Sequence, residues 1–192
     1  MQTEITTVDN STTALANFLN HYLSLATLIG IIVLVVWLLV LIYAHFTNKR
    51  IKLFTVISEY ALSLGFLVTL GGAFLTLFYS QVLGYEPCEL CWFQRIFLYP
   101  QVILFGMAWF KKDMKILPYI LGLSLVGEFI AIYHHALQMG YDLYKPCSTA
   151  VFAVSCAKPS FIEYGFVSFP FMAVVLFGFL IALSWTGMRG GR

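Results

Sequence analysis

Cys88-Glu89-Leu90-Cys91, with Arg95 four positions later, is the part of this chain best suited to chemistry. A C-x-x-C pair cycles between dithiol and disulfide and so carries an electron pair. Pro87 precedes Cys88, and Trp92 opens an apolar run. Cys91 therefore falls at or near a helix N-terminus, where the helix dipole favours a thiolate. Arg95 follows one turn further on the same face. A guanidinium there can hold Cys91 as thiolate and can hydrogen-bond a carbonyl-bearing molecule arriving from the lipid. Glu86 and Glu89 act in the opposite sense, disfavouring a nearby thiolate. The competing reading of Arg95 is a side chain snorkelling to the headgroups. Cys147 and Cys156, with eight residues between them, form a second pair and complete the four cysteines of the chain.

The elements that position these residues are membrane spans. The chain has 192 residues, 60% hydrophobic and only 10% charged, with a mean hydropathy of +0.87. A soluble domain carries about a quarter charged residues. Five apolar stretches approach the roughly 20 residues a span requires: Leu23 to Phe46, about Val56 to Val82, Trp92 to Phe110, Ile116 to Met139, and about Tyr164 to Trp185. The expected fold is all-α and transmembrane, a four-helix bundle of two hairpins plus one additional N-terminal transmembrane helix. The expected division is an extracytoplasmic segment 1–22, an extra span and basic loop 23–55, a redox bundle 56–185 and a tail 186–192. Residues 1–22 contain no Lys or Arg, unlike the start of a signal peptide, so the first span reads as a retained helix.

Charge placement sets the orientation. Lys49, Arg50, Lys52, Lys111, Lys112, Lys115, Arg189 and Arg192 are eight of the eleven Lys and Arg residues, and five alternating spans put them all on one side. The other side holds Lys145 and Lys158 with Glu4, Asp9, Glu86, Glu89, Asp142 and Glu163. The expected arrangement is N-terminus outside, C-terminus in the cytoplasm, and both cysteine pairs on the oxidising side, where disulfides persist. Nothing in the charge pattern resembles a nucleic-acid surface. The two outer loops of a bundle meet at one rim. The second of them, roughly Gly140 to Glu163, has Pro146 and Pro159 around its cysteines and Phe152 and Val154 near the interface. Its length leaves it free to reach both a soluble partner and the first pair. Gly65, Gly71, Gly72, Gly122, Gly127 and Gly178 are candidates for close helix contacts.

Pro87-Cys88-Glu89-Leu90-Cys91-Trp92-Phe93-Gln94-Arg95, followed by Ile96 and Tyr99-Pro100, resembles the DsbB/BdbC family of disulfide bond formation proteins, and more closely the BdbC branch. The resemblance covers about residues 56–185. It implies a bacterial cytoplasmic-membrane protein, a protein-dithiol:quinone oxidoreductase. A reduced thioredoxin-like thiol oxidase outside the membrane would attack the second pair, with Cys147 as mixed-disulfide partner. Electrons would pass to Cys88/Cys91 through a transient Cys88–Cys156 bond, and Cys91 would hand them to a membrane quinone, ubiquinone or menaquinone, beside Arg95. Such a DsbA–DsbB–quinone route is what keeps the bacterial periplasm oxidising. The family also has a histidine near its quinone, and His135 matches it by local sequence. Two features depart from the family: the extra first span, and the short separation of Cys147 from Cys156.

Glu128 lies deep in the fourth span, where a carboxylate is a functional candidate by default and a protonated packing residue otherwise. His135, seven residues on, shares its face approximately. His134 is its neighbour, and His21 and His45 read as interface residues. Tyr43, Trp109 and Trp185 read as belt anchors. No metal is expected: a four-cysteine zinc site has poor spacing here. The alternative function is a non-enzymatic transporter or channel subunit stapled by two structural disulfides, which gives Arg95 no task.

Overall fold

The computed structural model describes residues 2–47, 52–141 and 155–190. Five helices account for nearly all of them: α1 (Gln2–Thr47), α2 (Lys52–Gln81), α3 (Glu89–Lys111), α4 (Leu117–Gln138) and α5 (Phe169–Gly190). Each is long and apolar enough to cross a membrane. The protein is all-α and transmembrane, as its composition requires, because only a helix satisfies its own backbone in a lipid-exposed span.

Short links make α2 and α3, and α3 and α4, antiparallel neighbours. Gly84, at φ +71°, turns the chain after α2, where Tyr85 N–H donates to Tyr79 O at 3.0 Å. Lys112 ends α3 in the left-handed region at φ 51°, and the Asp113 side chain accepts from Lys115 N–H at 3.0 Å to open a short 3₁₀ turn, Met114–Ile116. Pro118, in the first turn of α4, suits a position whose N–H has no intrahelical partner.

Helices α2 to α5 close a ring, α2 on α3, α3 on α4, α4 on α5, and α5 back on α2. Its core holds Leu62, Leu98, Phe105, Ile120, Phe177 and Leu180. Two glycines admit the large rings. Gly65 lies directly against Phe105, and a Cβ on Gly127 would sit 2.5 Å from Phe177. Gly72 and Gly178 also mark close contacts, whereas Gly71 and Gly122 face open space. Pro100 lies inside α3, and the nearby Phe97 carbonyl accepts from Gln101 Nε2 at 2.9 Å. Gln101 Oε1 in turn accepts from Ser124 Oγ at 3.0 Å, a buried polar link between α3 and α4.

Helix α1 packs outside the ring on α5. Leu34 fills the space over Gly178, and Trp37 meets Phe179 edge-on at 5.2 Å. At one end, Tyr79 O–H of α2 donates to Asn20 Oδ1 at 2.8 Å, a buried bond. At the other, Arg189 donates to His45 Nδ1 at 2.6 Å. The helix runs 46 residues, about 69 Å at about 1.5 Å per residue. It begins well before the expected span at Leu23, since residues 2–22 contain no Gly or Pro and helix propagates cheaply from an existing segment. Helix α5 begins five residues later than expected. Tyr164 and Gly165 have φ of 52° and 81°, and Glu163 and Val167 exchange two backbone hydrogen bonds of 2.9 Å. That turn is incompatible with helix.

Candidate redox site

Helix α3 begins at Glu89 with Cys88 as its N-cap, in extended conformation (φ −71°, ψ 172°). The Cys88 carbonyl accepts the N–H of Trp92 at 3.1 Å, which places Cys91 in the first turn. Cys88 Sγ donates to Cys91 Sγ at 3.2 Å. A modest side-chain rotation brings the sulfurs to the roughly 2.05 Å of a disulfide. The Cys88 thiol is pushed up to about 12, first by the hydrogen bond to Cys91 and then by burial, with His134 opposing. Cys88 is thus the donor of the pair, and Cys91 accepts its hydrogen bond.

His134 of α4 is fully buried, with Nε2 3.6 Å from Cys88 Sγ. Its Nδ1 lies 3.2 Å from Gln94 Nε2, and its Nε2 lies 3.4 Å from Gln138 Nε2. Sequence reasoning passed over all three of these residues as site members. A signal for His134 exists. The buried positions of α4 run Leu117, Ile120, Ser124, Gly127, Ala131, His134 and Leu137, a helical stripe with His134 in phase. His135 is one position off that stripe. Its Nδ1 lies 3.5 Å from Ser168 Oγ, and its ring packs on Phe171 of α5 at 5.1 Å. Glu128, seven residues before His135, lies against the Gly178 backbone. Its Oε2 is enclosed with no hydrogen-bond partner among the described residues.

Arg95 does not snorkel. It is 8% exposed; Nη2 donates to the Thr76 carbonyl of α2 at 2.8 Å, and Cζ stands 5.1 Å from the centre of the Trp92 ring. Thr76 Oγ1 is 3.0 Å from Tyr99 Oη, so α2 and α3 share a small polar patch inside apolar surroundings. Trp92, Phe93 and Ile96, beside Arg95 in sequence, are exposed on the outside of the ring.

The second pair is described in half. Cys147, with Lys145, Pro146, Phe152 and Val154, lies outside the described residues, as do Lys49, Arg50 and Arg192. Cys156 is 1% exposed and packs in one buried cluster with Cys88, Leu90 and Leu137, with Cys91, Ile130 and Tyr133 against it. Its strand of chain is pinned further on by aromatic contacts: Phe161 meets Phe169 edge-on at 4.6 Å, and Phe169 meets Tyr79 at 4.8 Å. The site thus collects three cysteines and a histidine from three separate stretches of sequence. Sulfurs so placed can exchange disulfides, which needs only access and a thiolate.

The sequence profile of the family described as Disulfide bond formation protein DsbB matches residues 58–187. The chain is 37% identical over 108 residues to Disulfide bond formation protein C of Bacillus subtilis, covering 55% of this chain and 76% of that protein. It is 38% identical over 123 residues to Probable disulfide formation protein C 1 of Bacillus cereus, covering 62% of this chain and 85% of that protein. Probable disulfide formation protein of Chlamydia pneumoniae is 34% identical over 131 residues, 66% of this chain and 90% of that protein. No solved structure matches the chain significantly. The profile begins inside α2 and ends inside α5, so the match covers the ring and its cysteines and leaves α1 outside. With the paired thiols at the head of α3 and the matched region spanning the whole ring, this chain belongs to the DsbB family of membrane disulfide bond formation proteins.

Proposed function

We propose that this protein re-oxidises a thioredoxin-like thiol oxidase outside the bacterial cytoplasmic membrane and passes the electrons through two cysteine pairs to a membrane quinone. The observation that carries the reading is the packing of Cys156 in the same buried cluster as Cys88, with Cys91 alongside. A relay between the pairs needs that proximity, and two independent structural staples do not.

The reaction balances as a chain of exchanges. The partner's dithiol reduces the Cys147–Cys156 disulfide and becomes a disulfide itself. The Cys147/Cys156 dithiol then reduces Cys88–Cys91, with a Cys88–Cys156 bond as the connecting intermediate. The Cys88/Cys91 dithiol finally gives up an electron pair and two protons. Cys91 acts at that last stage, a role supported by its position in the first turn of α3, where it accepts from Cys88 with the helix dipole behind it. A quinone supplies the oxidising power by taking the electron pair and the protons.

The residues present fit a quinone. Arg95 is a buried donor with N–H groups beyond the one given to Thr76, and Trp92, Phe93 and Ile96 offer exposed apolar surface next to it. His134 stands 3.6 Å from the Cys88 sulfur, while His135 faces Ser168 and Phe171. Any part for His135 in holding the quinone runs through that α5 face.

Orientation follows from the charges: the cysteine end faces out, the basic clusters face the cytoplasm. Residues 56–185 form the redox unit, 23–55 the extra span and basic loop, and 1–22 and 186–192 lie outside the bilayer. Quinone-dependent oxidation of a reduced thioredoxin-like partner, with each cysteine replaced in turn, tests the relay. Cys91→Ser abolishes turnover. In Cys91→Ala/Cys147→Ala, mild oxidant joins Cys88 to Cys156, detected by mass. Full turnover by Cys91→Ser, or no Cys88–Cys156 bond, refutes the scheme.

A further inference from the structure

We propose that Cys88, Cys91 and His134 form a zinc site that exists only when the cysteine pair is reduced, and that zinc bound there blocks re-oxidation. The binding claim stands on geometry alone, and the block rests on the relay proposed above.

Cys88 Sγ, Cys91 Sγ and a ring nitrogen of His134 all lie within 4.8 Å of one another. Two of the edges are 3.2 Å and 3.6 Å. A tetrahedral zinc, with Zn–S near 2.3 Å and Zn–N near 2.0–2.1 Å, spaces its ligand atoms by about 3.5–3.8 Å. The third edge, Cys91 Sγ to His134, is at most 4.8 Å, so side-chain rotations that move the ligand atoms by about an ångström or less meet that demand. The donor set of two thiolates and one imidazole is the kind zinc prefers. It differs from a four-cysteine site, since His134 comes from α4, 46 positions from Cys88.

Charge and surroundings favour the same ion. Two thiolates neutralise a divalent cation, so the loaded site adds no net charge to a buried cluster, where an uncompensated charge is costly. The thiol protons leave to water as the metal enters. Two amides complete the picture. Gln138, whose Nε2 is 3.4 Å from His134 Nε2, has a buried Oε1 with no hydrogen-bond partner among the described residues. Turned over, that amide aims its oxygen at the fourth coordination position, directly or through a water. Gln94 stands 3.2 Å from His134 Nδ1. With its oxygen presented there it accepts the Nδ1 proton, the outer-sphere support that a zinc-bound imidazole requires.

Disulfide formation removes both thiolates and with them the site. Zinc therefore binds one redox state and stabilises it. Each tenfold excess of free zinc over its dissociation constant raises the potential of the Cys88/Cys91 couple by about 30 mV and holds the pair as a dithiol that cannot pass its electrons on.

The test uses full-length protein in detergent carrying Cys147→Ser and Cys156→Ser, so that only the first pair remains. Reduced protein is titrated with Zn²⁺ against a chromogenic chelator, and separately with Co²⁺. The expected results are one zinc per chain, a tetrahedral cobalt spectrum with thiolate charge transfer, and loss of both on oxidation to the disulfide. Gln94→Ala weakens zinc by about 10–100-fold, and His134→Gln weakens it further. No zinc on the reduced protein, equal zinc on the oxidised protein, or a cobalt spectrum without thiolate bands overturns the proposal; the cobalt readout needs no change at His134. With the four cysteines restored, zinc slows quinone-dependent turnover and a chelator reverses it. Zinc binding without any such turnover would remove the relay and leave the metal site. Turnover without zinc binding would do the reverse.

Discussion

Cys88 and Cys91 are chemically similar residues that the structure makes unequal, and the inequality is measurable. Cys88 donates to Cys91 at 3.2 Å, and that bond is the largest of the causes that push the Cys88 thiol up to about 12. At pH 8 a thiol of that value is about one part in 10⁴ thiolate, and below pH 12 the fraction rises tenfold per unit. Cys91→Ala removes the acceptor and leaves the burial. Each unit by which the thiol value falls raises the thiolate fraction about tenfold. Nucleophilicity falls with pKa at a coefficient of about 0.4–0.5, which takes back about threefold of each tenfold gain. The net expectation is that Cys88 attacks a small aromatic disulfide several-fold faster at pH 8 in Cys91→Ala than in Cys91→Ser, where a neutral acceptor stays in place. The assay follows the released aromatic thiolate in the Cys147→Ser/Cys156→Ser background across pH. Better access through the space left by Cys91 would multiply the rate equally at every pH. A lowered thiol value moves the inflection to lower pH. If the rate rises but the inflection stays where it is, the reasoning about Cys88 fails.

Other outcomes follow from the packing and the site. Gly127→Ala places a Cβ 2.5 Å from Phe177 and costs about 1–3 kcal/mol by overpacking, whereas Gly122→Ala, in open space, stays within about 0.5 kcal/mol; thermal unfolding in detergent compares them. Tyr79→Phe deletes the buried bond to Asn20 and costs about 0.6–1.5 kcal/mol, seen as easier proteolytic release of α1. Arg95→Lys keeps the charge but loses the planar fork that reaches Thr76; quinone KM rises by about tenfold, while exchange at Cys147/Cys156 with a soluble thiol is unchanged. An unchanged quinone KM would place the quinone elsewhere.

Composition and order of residues were enough for several things. Five runs of apolar residues dictate five helices, because lipid leaves the backbone no other partner. The Cys88–Cys91 spacing, with Pro87 before it and Arg95 after it, is enough to set two cysteines at a helix start with a cation one turn away. These are local properties, carried within a single turn of chain. Partnership across helices is a different matter, since it depends on which face of each helix turns inward. His134 and His135 are adjacent in sequence, yet about 100° of helical rotation separates them. Local sequence, through the family resemblance, points to His135, whereas packing of α4 in phase with Ala131 and Gly127 turns His134 onto Cys88. The same holds for Cys156, which reaches Cys88 because aromatic contacts around Phe169 fix the returning chain, and for Arg95, whose burial is set by an α2 carbonyl nineteen residues before it. Rotation about a helix axis changes nothing in the local sequence pattern and everything in what a side chain touches. Only the assembled bundle selects it.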